Sequence, residues 1–270
     1  MKQAVAVGLL VAGAATAALF LILVSGGSDP DPRTPSVSPP ASPSLSPLPP
    51  APAPAFEIPT PQPLDEPTPS ARWAAVLRSV PARLAPSEGA PVASVVERQT
   101  PEGTANIVLV RDKAVDDAGE LWIRVTIPGF PGETEGWVPR RAIGAYHAVR
   151  TRLLIDLDGL SATLLRDGRA LFSMQIGVGT AVSPTPSGQY YVRSRLTSFS
   201  NPFYGPLAFG TSVRSPSVTD WPDGGFVGIH GTNQPELLPG RVSHGCIRLR
   251  NGDILQLGRL MPIGTPISIQ

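Results

Sequence analysis

The sequence predicts a mostly β protein, with two β domains placed behind an apolar N-terminal segment and a proline-rich spacer. Three observations carry this prediction. From residue 71 onward, short alternating runs such as Ile107–Val110 and Leu121–Ile127 are bounded by Gly, Pro and Asp turns. Beyond residue 147 the chain is rich in β-branched residues and glycine. In that part only Asp253–Leu260, within NGDILQLGRL, reads as a short helix, with Asp253 as a first-turn acid.

In chain order, residues 1–27 come first. Residues 4–24 form an apolar stretch of 21 without a charge, and at about 1.5 Å per residue a helix of that length crosses a bilayer core of about 30 Å. Lys2 precedes the stretch, and Asp29 and Asp31 follow it. This bias predicts a transmembrane anchor with a short cytoplasmic N-terminus and everything else outside. A cleaved signal peptide is the alternative, because Ser25-Gly26-Gly27-Ser28 offers small residues to a peptidase. Both readings make the remainder extracytoplasmic.

Residues 28–70 are dominated by Pro, Ser and Ala. Such a segment buries too little apolar surface to fold and is expected to be a disordered, semi-rigid spacer. In polyproline II, at about 3.1 Å per residue, it reaches on the order of 100 Å. Residues 71–147 read as a separate small β domain, in which Trp122 and Trp137 are better explained by packing than by a ligand groove. Arg140-Arg141 begins the expected linker to a second domain at 148–270, and His147 is expected to be structural within it.

The chemistry concentrates in Ser243-His244-Gly245-Cys246, thirteen residues after His230, where the single cysteine sits beside two of only three histidines. A lone cysteine has no intramolecular disulfide partner. One reading is an inert buried thiol, and another is zinc held by His230, His244 and Cys246. The pattern favours a nucleophile. A thiol titrates near 8.5 and needs a neighbouring imidazole to favour the thiolate. His244 would lie on the side of the sulfur if the segment were extended, and His230 would arrive at the end of the apolar run Phe226–Ile229. The backbone N–H groups of Gly245 and Cys246 are candidate oxyanion donors. Ser243 and Arg248 are candidate substrate contacts, and the guanidinium fork of Arg248 suits a carboxylate.

His230-Gly231-Thr232 followed by Ser243-His244-Gly245-Cys246-Ile247-Arg248-Leu249 resembles the signature of the L,D-transpeptidase (YkuD) catalytic domain. The resemblance spans roughly residues 150 to 270. It includes Leu153–Leu157, the Asp167-Gly168 turn, Ile176–Gly179 and Thr185-Pro186-Ser187-Gly188 through Val192. It implies a β-sandwich or barrel in which Cys246 is acylated and His230 is its base, oriented through the carbonyl of Gly231. His244, Gly245 and Cys246 would line the oxyanion hole. The spacer between the two halves of the motif is short, which implies a compact lid, and Arg248 stands where some members have Asn. Upstream, Glu120–Val125 with Gly136-Trp137-Val138-Pro139 is similar to the end of a bacterial SH3-like barrel.

The resemblance further implies a tetrapeptide donor stem, loss of D-alanine, and a 3→3 peptidoglycan cross-link to a neighbouring stem amine. Water as acceptor would make the enzyme an L,D-carboxypeptidase. A non-catalytic wall-binding protein is the reading of a different class. No cofactor or metal is expected. A net charge of +1 offers no basic footprint for nucleic acid.

Overall fold

The computed structural model describes residues 70–129, 134–197, 201–218 and 225–270. The expected anchor at 4–24 and the spacer, apart from Ser70, lie outside the described residues. No helix among the described residues is long and apolar enough to cross a membrane.

Two sheets account for nearly all of the described chain, and the fold is mostly β, as the alternation predicts. The first is made of β1 (Ala71–Val76), β2 (Val80–Arg83), β3 (Val92–Val96), β4 (Ile107–Val115), β5 (Leu121–Thr126), β6 (Glu135–Pro139) and β7 (Ile143–Val149), in the order β3-β2-β6-β5-β4-β1-β7. Its interior is small and branched: Ala74, Val76, Val108, Ile123, Val125 and Val138 are buried together. Trp122 is fully buried and its indole N–H donates to Asp116 Oδ2 at 2.9 Å, so it is a packing residue. The stretch read as a linker, 140–147, is different from expectation. After one 3-10 turn at Arg140–Ala142 it becomes β7, which pairs antiparallel with β1, and His147 stacks on Trp73 at 4.3 Å between ring centres. Periodicity missed this strand because its side chains are mostly exposed at an edge of the sheet.

Only Arg150 separates β7 from the second sheet. Its strands are β8 (Thr151–Asp156), β9 (Ser161–Arg166), β10 (Arg169–Gln175), β11 (Gly177–Gly179), β12 (Gly188–Thr197), β13 (Leu207–Arg214), β14 (Phe226–His230), β15 (Gly240–Ser243), β16 (Ile247–Arg248) and β17 (Pro266–Ile269). They run in the order β10-β9-β8-β17-β12-β13-β14-β16-β11-β15. The hairpin from β9 to β10 turns at Asp167-Gly168, both with positive φ, as that dipeptide predicts. The chain's last strand, β17, is inserted between β8 and β12, parallel to the first and antiparallel to the second.

Helix α1 (Asn251–Leu260) begins two residues before the predicted start and keeps Asp253 in its first turn. It buries Ile254 and Leu257 in the core beneath the second sheet, worth about 1.5–3 kcal/mol each. The two sheets meet along a seam of Ile107, Leu109 and Tyr191, with Trp73 packed against it. Across the seam the Tyr191 hydroxyl donates to Ile107 O at 3.0 Å, and Arg193 pairs with Glu102 at 2.8 Å.

Candidate active site

Strand alternation puts Phe226, Gly228 and His230 on one face of β14 and Val227 and Ile229 on the other. Beside it β16 runs parallel, with Ile229 opposite Ile247 and His230 opposite Arg248. One step back in that register, Cys246 comes opposite Gly228, and the Gly228 N–H points at Cys246 Sγ at 3.4 Å. Cys246, His230 and Arg248 therefore share a face, although 16 residues separate the histidine from the cysteine. Cys246 is buried, with 7% of its surface exposed.

His230 is held from two sides. Its Nδ1 lies 2.6 Å from Gly231 O. A carbonyl oxygen only accepts, so in the neutral ring Nδ1 carries the proton and Nε2 keeps the lone pair. Tyr204 packs edge-on at 5.0 Å and Phe203 at 5.9 Å between ring centres. Gly231 has to be glycine: a Cβ there would collide with Asn251 Oδ1 and crowd Gly205 Cα. That same Asn251 oxygen accepts the Thr232 N–H at 3.0 Å, tying the end of β14 to the start of α1.

The loop carrying the thiol is fastened from within. Gly245 has φ +123°, a conformation closed to most side-chain-bearing residues, and a Cβ there would press on Val218 Cγ2 at 3.0 Å. Ser243 Oγ donates to Cys246 O at 2.6 Å and accepts the Gly245 N–H at 3.1 Å. Thr185 Oγ1 donates to Gly245 O at 2.8 Å and accepts the Gly179 N–H at 2.9 Å. Each of these two buried hydroxyls both donates and accepts, so neither is left unsatisfied.

This geometry alters three expectations. His244 is exposed while Cys246 is buried, because the positive φ at Gly245 between them breaks the extended alternation. Ser243 is buried, and its hydroxyl is engaged inside the loop instead of facing a substrate. Of the two amides read as oxyanion donors, the Gly245 N–H is already given to Ser243. Arg248 is largely buried, with its guanidinium 4.3 Å above the Phe203 ring. Among the described residues no three His, Cys, Asp or Glu side chains converge as metal ligands.

Residues 150–269 match the YkuD family, described as the L,D-transpeptidase catalytic domain. Among curated relatives, a Bacillus subtilis protein named L,D-transpeptidase YkuD is 28% identical over 145 residues, covering 54% of this chain and 73% of the relative. A Bacillus licheniformis protein of the same name is 33% identical over 118 residues, covering 44% of this chain and 64% of the relative. The solved catalytic domain of an E. faecium L,D-transpeptidase aligns over 44% of this chain and 96% of its own at 25% identity, with a TM-score of 0.34.

Within residues 150–269, several contributors to the candidate site escaped reading as site residues. Thr185 was visible only as part of a turn motif, yet its hydroxyl braces the Cys246 loop across 60 residues of sequence. Gly228 was one member of an apolar run. Asn251, Phe203 and Tyr204 left no local signal, since their roles exist only once α1 and the 3-10 turn at Pro202–Tyr204 pack beside β14.

Proposed function

We propose that this chain is an extracytoplasmic L,D-transpeptidase that forms 3→3 cross-links between peptidoglycan stems through a thioester on Cys246. The supporting observation is that the Cys246 thiol and the His230 ring share one sheet face, with the sulfur held by the Gly228 N–H and the histidine by Gly231 O. The apolar segment 4–24 fits a membrane anchor, with the Pro-rich spacer lifting the domain toward its polymer.

The chemistry follows from the geometry. His230 Nε2 accepts the thiol proton, and the Gly228 N–H stabilises the thiolate with a charge-assisted hydrogen bond. The thiolate adds to the carbonyl carbon of the third residue of a tetrapeptide stem. The Cys246 N–H takes the developing oxyanion. The carbon–nitrogen bond to D-alanine then breaks, and the imidazolium returns its proton to the leaving amine. An amine of a neighbouring stem attacks the thioester, gives up its proton to His230, and the thiolate departs. In this reading Arg248, whose guanidinium lies over Phe203, orients a substrate carboxylate.

Mass spectrometry of the purified protein with disaccharide-tetrapeptide tests this directly. The expected result is a transient acyl adduct on the Cys246 peptide, loss of D-alanine and appearance of dimers. Loss of D-alanine without dimers would assign a carboxypeptidase, and no adduct with no loss would leave a wall-binding protein.

A further inference from the structure

Between the two sheets lies a cavity of about 600 Å³ that the thiol chemistry does not use. Its walls come from residues 94–101 on one side and from Arg193, Arg214 and Phe226 on the other. Phe226 fixes its place relative to the site. It shares a face of β14 with Gly228, which holds the Cys246 sulfur, and with His230. Along β14, Phe226 in the cavity wall and Gly228 beside the sulfur are thus two strand residues apart, about 7 Å.

The cavity carries an excess of guanidinium groups. Arg193 is 2% exposed, donates through Nη2 to both Glu102 oxygens at 2.8 and 3.0 Å, and lies 3.9 Å over the Phe226 ring. Its buried Nε–H has no hydrogen-bond acceptor among the described residues. Arg98 and Arg214 are exposed, and neither pairs with a carboxylate among the described residues. Glu97, an acid in the wall, accepts from Ser79 Oγ at 2.5 Å. A buried N–H without an acceptor and two unpaired forks beside an aromatic ring make a receptor for a carboxylate on a partly apolar chain.

We propose that this cavity is a second peptide subsite, which takes a free carboxylate of the stem peptide about two residues from the carbonyl that Cys246 attacks. An extended peptide covers the 7 Å between Gly228 and Phe226 in two residues. The small β domain thereby supplies half of a substrate groove, through Arg98, instead of serving only as a spacer. This rests on the transpeptidase reading, so the test keeps binding apart from turnover.

The full chain with Cys246→Ala is titrated calorimetrically with a peptidoglycan tetrapeptide bearing free carboxylates and with the same peptide amidated at those carboxylates. The free form binds about tenfold or more tightly, as a charge-assisted pair predicts. The Arg98→Gln/Arg214→Gln double variant in the same background removes that preference, and Arg214→Lys restores part of it. Both arginines are exposed, and unchanged melting temperatures confirm that the fold is kept. Equal binding of the two peptides, or a preference that survives the double variant, overturns the subsite. D-alanine release by the native protein is measured alongside. Carboxylate preference without release keeps the subsite and removes the transpeptidase reading, whereas release without preference does the reverse.

Discussion

The two sheets bury their interiors in different ways. The first packs Ala, Val and Ile, and of its few buried polar residues Thr100 and Asn106 sit on the segment that reaches toward the second sheet. The second buries two arginines, a histidine and a series of serines and threonines among its apolar residues. Each buried polar group carries a desolvation cost unless it is paired, so such an interior persists only when its members satisfy one another. Ser243, Gly245, Thr185 and Gly179 do this around the thiol. One interior supplies cohesion, and the other holds the Cys246 loop in a conformation that apolar packing could not specify.

The largest effect that breaks this contrast is at the thiol itself. Cys246→Ser keeps the shape but places a far less acidic hydroxyl beside the same base, and acyl transfer should vanish while the melting temperature holds. Adduct formation with disaccharide-tetrapeptide, followed by mass spectrometry, reads this out. His230→Ala should lower the acylation rate by about 10²–10⁴. His244→Ala should cost much less, since His244 is exposed and its backbone N–H is kept. Equal losses in single-turnover rates for the two histidine variants would reverse the assignment.

Next comes the ion pair between the sheets. Burial lowers the Arg193 pKa below its usual value, and Glu102 offsets this. Glu102→Ala would leave that guanidinium buried without its partner, so a loss of about 3–5 kcal/mol in denaturant unfolding is expected. A loss below about 1 kcal/mol, typical of exposed pairs, would mean that the two sheets are not coupled there.

Thr185→Val removes both hydrogen bonds behind the nucleophile loop while preserving volume. It should cost about 1–3 kcal/mol, because the Gly179 N–H is left unsatisfied. It should also slow acylation, a combination that no substitution confined to the first sheet's core should produce. The smallest effect is at the seam. Tyr191→Phe deletes the hydrogen bond to Ile107 O and should cost about 1 kcal/mol. Burial raises the Tyr191 pKa above its ordinary value of 10.0. The folded state therefore holds this proton more tightly than the unfolded chain. Its contribution is complete below about pH 10 and is lost as the pH rises beyond that. The wild type should accordingly lose stability more steeply than Tyr191→Phe in alkaline unfolding.

Much of the site was readable because it is local. Cys246, Gly245 and His230 stand out by residue type, and the β14 run announces the strand that ends at the histidine. His244 misled because alternation presumes an extended backbone, and the φ of +123° at Gly245 cancels that presumption. Ser243 misled for a related reason: a hydroxyl next to a nucleophile has the composition of a substrate contact, but its partners lie in its own loop. The edge strand β7 was taken for a linker because exposed strands lack the apolar alternation that marks half-buried ones.

By itself the sequence determined the mostly β class, the hairpin at Asp167-Gly168 and the short helix after Cys246. These depend on backbone propensity and on residues a few positions apart. Only the tertiary structure decided that Thr185 braces Gly245, that Asn251 ties α1 to Thr232, and that Glu102 reaches across to Arg193. Those contacts join residues 19 to 91 positions apart. The packing of both sheets selects them, and no short-range pattern in the chain records which distant polar group will be buried against which.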